Sequence, residues 1–463
     1  MRKILIILFL LPHLNATAQK KPNILLFIGD DMTWRDCSVY GNPDVNTPNI
    51  QRLADTGMSF DNMFTATAMC SPTRQQILTG LFPARSGAYP NHAKVYDGVK
   101  SLGHHFKALG YNVALIGKQH YGPAESYPID YLGGRQHDGG NGIDIHLDKI
   151  KPVIEDDKPF LLIIAQNQPH TPWTRGNRAQ YNPEKLTVPD YMIDTKETRE
   201  ALVKYYAEIT YADSLLGYCL DAVEKVGKQK NTIEVFTSEQ GYQLPFGKWT
   251  CYDLGLKTGF IISWPGKVPA KSRNSAFIQY VDILPTLLDM VGADPEKIDV
   301  GIKDTYGNTG FDGKSFYDVI QQKTDHHRDY VFGIQTTRGI FSGSDSYPVR
   351  SIRTEKYKYI QNYSFDSEFS NIPIANENSL YNQWLRDSTL SEDTHAWLEK
   401  YKTRPFEELY DLENDPFEQR NLAEDKTYKS IIQDLRQKLE SWMIQQGDLG
   451  VATEMKARER MTH

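Results

Sequence analysis

The sequence predicts an α/β fold: a mainly parallel sheet sandwiched by helices, followed by a smaller C-terminal α+β subdomain. Three observations predict it. Apolar runs of strand length alternate with helical patterns, the runs show little polar alternation, and a different pattern begins after about residue 340. Strands that are apolar on both faces are typical of a parallel sheet covered by helices on both sides.

Four apolar runs supply the predicted strands, at residues 23–28, 112–116, 160–164 and 233–236. Two helical patterns lie between these runs. The first covers residues 99–109 and ends at Gly110, a residue typical of helix ends. The second covers residues 202–226, where apolar residues recur at helical spacing at Leu202, Ile209, Leu216, Leu220 and Val223.

The C-terminal part reads differently. Residues 347–353 and 356–360 have the pattern of an antiparallel hairpin, and Leu435, Leu439 and Trp442 mark the apolar face of a terminal amphipathic helix. We therefore predict a catalytic domain over residues 19–340 and a C-terminal subdomain over residues 341–463.

The first 18 residues have the pattern of a cleaved signal peptide. Arg2 and Lys3 precede an apolar run at residues 4–11, and Ala16 and Ala18 fit a cleavage site. The run is too short to cross a bilayer, and no later segment is long and apolar enough to do so. We expect an exported protein, periplasmic or secreted, without a membrane span.

Charge and cysteine content limit the functional classes. The formal net charge is −7, and loss of the signal peptide removes two basic residues, so a general electrostatic affinity for nucleic acid or an anionic membrane is not expected. An anionic substrate then needs a local basic pocket. The four cysteines, Cys37, Cys70, Cys219 and Cys251, lack the spacing of a metal site, and if Cys70 is catalytic the other three cannot all pair internally.

One stretch, residues 67–80, has the features of an anion-binding helix start. Pro72 fits the first turn, Ser71 fits the cap and Gly80 fits the position just past the end. Cys70 should then lie where unpaired backbone N–H groups favour an anion. Arg74, four residues on, can return its guanidinium toward Cys70. By itself Cys70 could equally be a buried structural thiol.

Polar clusters follow each predicted strand, and the carboxyl ends of parallel strands are where sites form. The clusters supply Asp30, Asp31, Lys118, His120, His170, Glu239 and Gln240. Taken singly, adjacent acids are more often a turn or cap, and a lone histidine or lysine is more often solvated. Their joint occurrence beside Cys70 favours a site.

The cluster chemistry suits a hard cation and an anionic group. The carboxylates of Asp30, Asp31 and Glu239, with the side-chain carbonyl of Gln240, form an all-oxygen ligand set, for which Ca²⁺ is preferred over Mg²⁺. Lysine side chains neutralise anionic oxygens, and histidines transfer protons near neutral pH. The candidates are Lys118, Lys248, His120 and His170.

The pattern Cys70-x-Pro72-x-Arg74 resembles the signature of the formylglycine-dependent type I sulfatases of the alkaline phosphatase-like superfamily. Further segments across most of the chain are similar to motifs of that family. They lie at residues 23–31, 46–57, 117–120, 169–172, 237–241, 247–266, 280–286 and 408–422. Within that family, the motifs of this chain most resemble those of the polysaccharide branch, which includes ulvan-active enzymes and heparan N-sulfatases.

The resemblance implies a mechanism. Cys70 would be oxidised by a formylglycine-generating enzyme to 3-oxoalanine, whose hydrate is the nucleophile. The implied metal ligands are Asp30, Asp31, residue 70, Glu239 and Gln240. Arg74 would hold the hydrate, His120 would assist the breakdown of the sulfated intermediate, and His170 would protonate the leaving oxygen or orient the ester. Lys118 and Lys248 would bind sulfate.

Some residues depart from the family pattern. Glu239 and Gln240 stand where the family has Asp followed by Asn or His, so each candidate ligand is one methylene longer. Gln119 replaces a usual tryptophan, and Leu254 precedes Gly255 where two glycines are usual. These changes imply a pocket wall of different shape. They remove none of the charges that the family's mechanism needs.

Candidate substrate-binding residues lie in variable loops. Arg135 and His137 belong to a glycine-rich loop at residues 133–140 and fit a sugar hydroxyl or a uronate, or simply a solvated turn. His92 and Trp173 are likewise either substrate contacts or ordinary structural residues. Trp173, for example, fits stacking on a sugar as well as packing within the fold.

The prediction is an exported sulfatase acting on a sulfated polysaccharide, with ulvan-type algal polysaccharide first and a heparan-type glycosaminoglycan, as sulfatase or sulfamidase, second. Two alternatives remain. One is a phosphonate or phosphodiester hydrolase that uses the same groups, and the other is an inactive carbohydrate-binding homologue.

Overall fold

The computed structural model describes residues 20–134 and 145–461. The predicted signal peptide and the candidates Arg135 and His137 therefore lie outside the described residues. In the part that is described, the chain forms two sheets, one of eight strands and one of four.

The large sheet has the strand order β4-β3-β5-β1-β6-β7-β2-β8. From β4 to β6 all neighbours are parallel, whereas β7 runs antiparallel to both β6 and β2. The prediction of a mainly parallel sheet is confirmed. The bounds are β1 Asn23–Gly29, β2 Met58–Phe64, β3 Asn112–Gly117, β4 Asp130–Tyr131, β5 Phe160–Ala165, β6 Thr232–Ser238, β7 Lys257–Ser263 and β8 Ser272–Gln279.

The register of the four central strands brings their carboxyl ends to one level. Ile28 of β1 pairs with Ala165 of β5 and with Thr237 of β6, and Ala165 also pairs with Gly117 of β3. The chain segments that leave these strands therefore start side by side. This is the edge at which the polar clusters were predicted to meet.

Both faces of the sheet are buried. Leu25 and Phe27 of β1 belong to one apolar cluster, while Ile24, Leu26 and Ile28 belong to another on the opposite face. Successive strand residues point to opposite faces, so two-sided burial requires continuous apolar runs. This explains why the sequence shows no polar alternation in β1.

Helices supply the two outer layers. The predicted helix at 99–109 is shorter than expected, and the one at 202–226 starts earlier, at Lys196, because the Thr195 side chain caps it by accepting the Thr198 N–H. The bounds in this part are α1 Pro48–Thr56, α2 Cys70–Thr79, α3 Pro83–Ser86, α4 Leu102–Ala108, α5 Lys151–Glu155, α6 Lys196–Lys225, α7 Asp253–Leu256, α8 Ile283–Met290 and α9 Tyr317–Ile320.

The small sheet is antiparallel, in the order β12-β11-β10-β9. Its strands are β9 Val331–Gln335, β10 Val349–Arg353, β11 Tyr357–Asn362 and β12 Glu407–Asp411, and its helices are α10 Ile372–Ala375, α11 Leu380–Leu385, α12 Glu392–Lys400, α13 Lys429–Gln446, α14 Val451–Met455 and α15 Ala457–Arg460. Trp442 of α13 stacks on Phe332 of β9 at 4.7 Å between ring centroids. The predicted subdomain exists, but β9 begins before residue 340, so the division of the chain at that residue stays a prediction.

Two further expectations concern cysteines and membranes. In the described residues the four cysteines are buried and unpaired. Within the same ranges, none of the helices has the length and apolar character that crossing a bilayer requires.

Asp282 is a buried charge that joins the start of α8 to the segment leading into the small sheet. It is fully buried, and its carboxylate accepts hydrogen bonds from the backbone N–H of Lys314 at 2.8 Å and from Arg328 Nε at 2.7 Å. Burial alone would raise the pKa of Asp282, but the Arg328 charge and hydrogen bonds hold that pKa below its usual range. The ionised carboxylate therefore stabilises the fold.

Replacing Asp282 by asparagine is expected to destabilise the protein by about 3 kcal/mol at pH 7, because Arg328, whose side chain is only 15 % exposed, is left without its counter-ion. Since the folded-state pKa is lowered, the contribution is present above the ordinary carboxyl pKa of about 4 and is lost as the pH falls below it. Urea unfolding of both proteins at neutral and acid pH measures this. Asp318→Asn, which breaks an exposed pair with Lys323, is the matched control and should cost about 0–1 kcal/mol.

Candidate active site

Helix α2 carries the predicted reactive cysteine at its first position. Cys70 is the first residue and Met69 is the N-cap, so the prediction that Ser71 caps the helix is wrong. The Ser71 hydroxyl is engaged elsewhere, because it accepts a hydrogen bond from Gln75 Nε2 at 3.0 Å. The N-cap residue Met69 makes no side-chain hydrogen bond to the helix, and the Ser71 N–H donates only a long hydrogen bond, 3.5 Å, to Asn91 Oδ1, so the start of α2 can still attract an anion.

The predicted acids converge on Cys70. One ligand atom from each of Asp30, Asp31, Cys70 and Glu239 lies within 4.8 Å of the others, and all four residues are buried. Backbone hydrogen bonds continue the ladder past the strands: Asp30 N–H donates to Gln168 O and Glu239 N–H donates to Gly29 O, both at 3.0 Å. The parallel sheet thus fixes the spacing of the acids.

Two basic side chains contact Asp30 and Glu239. Lys118 Nζ lies 2.6 Å from Asp30 Oδ2, and the Arg74 guanidinium contacts Glu239 through Nε. Arg74 also donates to the backbone carbonyls of Lys118 at 3.2 Å and Gln166 at 3.3 Å. These carbonyls hold the guanidinium beside Asp30 and Glu239, the acids that lie close to Cys70.

Lys248 provides the third cation. Its Nζ lies 2.8 Å from Asp31, and both residues are buried. The backbone N–H of Lys248 donates to Tyr242 O at 2.8 Å, and that of the next residue, Trp249, donates to Ala68 O at 2.9 Å. The loop after β6 is therefore attached to the segment that leads into α2.

Burial and charge shift the pKa values of the acids in opposite directions. Burial opposes ionisation of Asp30, but the Lys118 charge prevails and lowers the pKa of Asp30. Burial raises the pKa of Glu239, and the Asp30 charge adds to this effect although Arg74 opposes it. Two carboxylates that share a site behave in this way, since one ionises and the other tends to keep a proton.

The thiol and the lysine are also shifted. Burial and the Glu239 charge raise the pKa of the Cys70 thiol well above its usual value, so an unmodified Cys70 is a poor nucleophile. Burial opposes the charged form of Lys248, but Asp31 outweighs it and raises the pKa of Lys248, which stays protonated. Lys248 therefore keeps its positive charge beside Asp31.

Gln240 is turned differently from the prediction. Its amide nitrogen, rather than its carbonyl oxygen, faces the cluster, donating to Asp31 Oδ1 at 2.7 Å and Glu239 Oε1 at 2.8 Å. The side-chain Oε1 is buried and has no hydrogen-bond partner in the described part of the chain. The amide nitrogen also lies 3.3 Å from Cys70 Sγ, so it faces three acceptors and donates. Rotating the amide by half a turn directs Oε1 to the same point.

The donor set fits a divalent cation. Three carboxylates and the orphaned carbonyl of Gln240 are hard oxygen donors, which Ca²⁺ and Mg²⁺ prefer, and no imidazole belongs to the cluster found in the described residues. Arg74, Lys118 and Lys248 balance the three carboxylates, so a bound divalent ion leaves a net positive site. A sulfate ester is an anion that such a site attracts.

Histidines line one side of the site. His120 Nε2 lies 2.9 Å from His92 Nδ1, and His92 Nε2 lies 3.2 Å from Asn91 Nδ2. His170 Nδ1 lies 2.6 Å from the Thr171 carbonyl oxygen, so it carries the proton. Its Nε2 lies 3.6 Å from Asp31 Oδ2 and faces the cluster. The structure thus brings His170 together with the acids and pairs His120 with His92.

Backbone strain is concentrated here. Asp31, His92, His120 and Trp249 all have positive φ, between 50° and 67°, a region that non-glycine residues rarely adopt. Such conformations persist where the surrounding structure enforces them, and they cluster at functional sites. The left-handed turns direct Asp31 and His120 into the site just after their strands end.

Trp173 packs within the fold. Its ring lies 5.2 Å from that of Tyr205, and its Nε1 donates to Pro169 O at 2.7 Å. The ring is partly buried against the core, which accounts for the residue without a sugar. A substrate role for Trp173 therefore has no support from its contacts, whereas His92 lies next to the site.

Sequence reasoning missed residues that position the site. Ser238 Oγ accepts a hydrogen bond from Met32 N–H and donates to Gln240 O, each at 3.1 Å, so it joins the two ligand loops. Tyr205 of α6 donates from its hydroxyl to Asp31 O at 3.2 Å. Tyr205 looks like any core residue of a helix, and only the structure reveals its contact. Ser238 directly precedes the predicted ligand Glu239, and this adjacency is the one feature of the sequence that could have pointed to its role.

The fold and this site define a class of protein with buried acids, a cysteine and basic side chains gathered at the carboxyl edge of a parallel sheet, which fits a cation and an anionic ester. Residues 22–293 match the Sulfatase family, and residues 239–393 match the C-terminal region of N-sulphoglucosamine sulphohydrolase. The chain belongs to the sulfatase family and is a sulfuric ester hydrolase.

Relatives and solved structures agree with this. An ulvan-active sulfatase of Formosa agariphila is 33 % identical over 447 residues, covering 94 % of this chain and 82 % of its own length. Human N-sulphoglucosamine sulphohydrolase is 27 % identical, covering 94 % and 92 %. A structure solved in complex with its substrate D-glucosamine-2-N,6-O-disulfate has a TM-score of 0.67 and 21 % identity, covering 93 % and 99 %, and shows the shared alkaline phosphatase-like fold.

Proposed function

We propose that this protein is an exported sulfatase that removes sulfate from a sulfated polysaccharide or its oligosaccharides, using Ca²⁺ and a formylglycine made from Cys70. One observation carries the proposal: Cys70 starts a helix inside a ring of three carboxylates and three basic side chains. An ulvan-type polysaccharide is the first candidate and a heparan-type glycosaminoglycan the second, following the named activities of the similar proteins.

A cation bound here would polarise the sulfuryl oxygens, and the hydrated aldehyde of residue 70 would provide an oxygen nucleophile. The chain's own residues do the rest. Asp30, Asp31, Glu239 and Gln240 would hold the cation. Arg74, fixed by two backbone carbonyls, would orient the group at position 70.

Binding and proton transfer fall to lysines and histidines. Lys118 and Lys248 neutralise the charge that collects on the sulfate oxygens, which stabilises the transition state. His170 carries its proton on Nδ1 toward Thr171 O, so protonation of Nε2 places a second proton beside the cluster for the departing sugar oxygen. His120, paired with His92, exchanges protons on the other side.

The proposal is tested by incubating aldehyde-bearing protein with defined sulfated oligosaccharides from ulvan and from heparan sulfate, and following desulfation by mass. Loss of sulfate from an ulvan fragment is the expected result. Faster hydrolysis of an aryl phosphate diester or a phosphonate than of any sulfate ester would favour the alternative hydrolase. Oligosaccharide binding without sulfate release would indicate an inactive homologue.

Removal of Ca²⁺ is expected to abolish activity without unfolding the protein, because Arg74, Lys118 and Lys248 still balance the acids. Treatment with EGTA should lower the rate at least about 100-fold, and added Ca²⁺ should restore it more fully than Mg²⁺. Saturating Ca²⁺, at about 100 times its Kd, should also stabilise the fold by about 2.7 kcal/mol. Full activity in EGTA would contradict the metal assignment.

Export and maturation are part of the proposal. The signal pattern at residues 1–18 would direct the chain to the periplasm or the medium, and a formylglycine-generating enzyme would be its partner during maturation. Sequencing the N-terminus of the protein recovered outside the cytoplasm tests this. A start at Gln19 is expected, and a retained Met1 would contradict it.

A further inference from the structure

The loop after β9 presents a phenyl ring to solvent. Phe341 is 82 % exposed, more than any other large apolar side chain among the described residues. Single exposed apolar side chains are common on proteins. The position and the rigidity of this loop are what distinguish Phe341.

The position is next to the catalytic centre. Ile340, the residue before Phe341, packs in a small apolar cluster with Met69 and Trp249. Met69 immediately precedes Cys70, and Trp249 immediately follows Lys248. Ile340 therefore packs with the chain neighbours of two site residues, Cys70 and Lys248, which come from separate segments of the chain.

The loop is held by buried hydrogen bonds at its start. Glu454, which is fully buried, accepts the backbone N–H of Thr337 at 2.9 Å and of Arg338 at 2.8 Å. The Ile340 N–H donates to Thr337 O at 3.0 Å. The C-terminal segment thus supports the loop from behind.

Hydrogen bonds at the surface hold the other end of the loop. The Gly343 N–H donates to Ile340 O at 3.0 Å, and Ser370 Oγ donates to Ser342 O at 2.9 Å. Ser342 has a φ of 58°, a left-handed conformation in a non-glycine residue. A phenyl ring on a loop fixed at both ends is presented in one place, which lowers the entropy lost when it binds a ligand.

We propose that Phe341 determines specificity by stacking on a sugar ring of the substrate, beside the sugar that carries the scissile sulfate. The inference rests on the proposed function and narrows it, because it implies recognition of the carbohydrate beyond the sulfate group. An aromatic face packs against the apolar face of a sugar ring while the hydroxyls of the sugar stay in water. A groove of about 460 Å³ lies just beyond the loop, and its serines Ser344, Ser346, Ser367 and Ser370 offer hydroxyls to a sugar. The groove also contains Asp345 and Glu368, each of which is paired with a basic side chain, Arg338 and Lys402 respectively.

Binding is measured with turnover removed. In the Cys70→Ala protein, calorimetry with a sulfated tetrasaccharide from ulvan, and separately one from heparan sulfate, gives Kd with and without Phe341→Ala. The variant should bind its preferred tetrasaccharide about tenfold more weakly, which corresponds to about 1.4 kcal/mol. Phe341→Trp should keep the affinity, because tryptophan also stacks.

The matched control is Tyr218→Ala. Tyr218 is also an exposed aromatic residue, at 41 %, but it lies on α6 about 20 Å along the helix from Tyr205, the residue that contacts Asp31 O. Its removal should leave Kd unchanged. Equal binding by the Phe341→Ala and parent proteins, equal weakening by both alanine variants, or no tetrasaccharide binding at all would overturn the proposal.

Turnover provides a second readout. In aldehyde-bearing protein, Phe341→Ala should lower kcat/KM for the tetrasaccharide relative to kcat/KM for a small aryl sulfate by about tenfold, mainly through KM. An unchanged ratio would overturn the role of Phe341. Failure of the proposed sulfatase function would look different from failure of the Phe341 proposal. In that case the protein with Phe341 intact would release no sulfate from either substrate.

Discussion

Replacing Cys70 by alanine is expected to reduce sulfate release by at least about 10⁴-fold, to the background rate. Alanine cannot be converted to an aldehyde, so no nucleophile remains at the start of α2. The remaining groups would still bind the substrate anion, because Arg74, Lys118 and Lys248 are unchanged. The loss should therefore appear in kcat, with little change in the affinity for substrate.

Stopped assays of sulfate release by ion chromatography measure this loss, and circular dichroism checks the fold. Cys219→Ala is the matched control, since Cys219 is an equally buried thiol in α6 and should be dispensable. Retention of more than about a hundredth of the rate by Cys70→Ala, or an equal loss in Cys219→Ala, would contradict the role of Cys70.

Replacing Lys118 by alanine is expected to lower kcat/KM by about 10²–10³-fold, because a buried cation that stabilises charge on the sulfuryl oxygens is removed. The same change leaves Asp30 without its contact at 2.6 Å, and both residues are buried. Breaking a buried ion pair from one side typically costs about 3–5 kcal/mol. The pKa of Asp30, which Lys118 lowers, should rise.

Kinetics on a small aryl sulfate and urea unfolding give the two effects separately. The control is Lys107→Ala, which breaks a pair with Asp130 of similar length, 2.7 Å, at the exposed surface and should cost only about 0–1 kcal/mol. Ca²⁺ should recover part of the lost stability by replacing one positive charge, but not the lost activity. Wild-type kcat/KM in the Lys118 variant would rule out its contact with sulfate.

The fold was predictable from sequence for the strands that are buried on both faces of the large sheet. Residues 23–28 and 160–164 read as continuous apolar runs because both faces of β1 and β5 are covered. The convergence of Asp30 and Glu239 followed from the rule that parallel strands end at one edge. That rule depends only on the direction of the strands and not on side-chain contacts. The parallel register of β1 and β6 agrees with it.

What sequence could not predict depends on contacts between distant segments. Ser71 looks like a helix cap, but the Gln75 amide donates to its hydroxyl, and α2 starts two residues earlier than that cap implies. The orientation of the Gln240 amide follows from which acceptors surround it. The exposed ring of Phe341 reads as an ordinary apolar residue until its loop is placed against Met69 and Trp249.

The proposed catalytic mechanism requires that residue 70 is an aldehyde in the active protein. The most direct measurement is mass spectrometry of the peptide that contains residue 70, made on preparations with different degrees of conversion, together with the specific activity of each preparation. The account predicts that activity per molecule rises in proportion to the fraction in which the CH₂SH group is replaced by CHO. Equal activity in a preparation that carries only the thiol would contradict it.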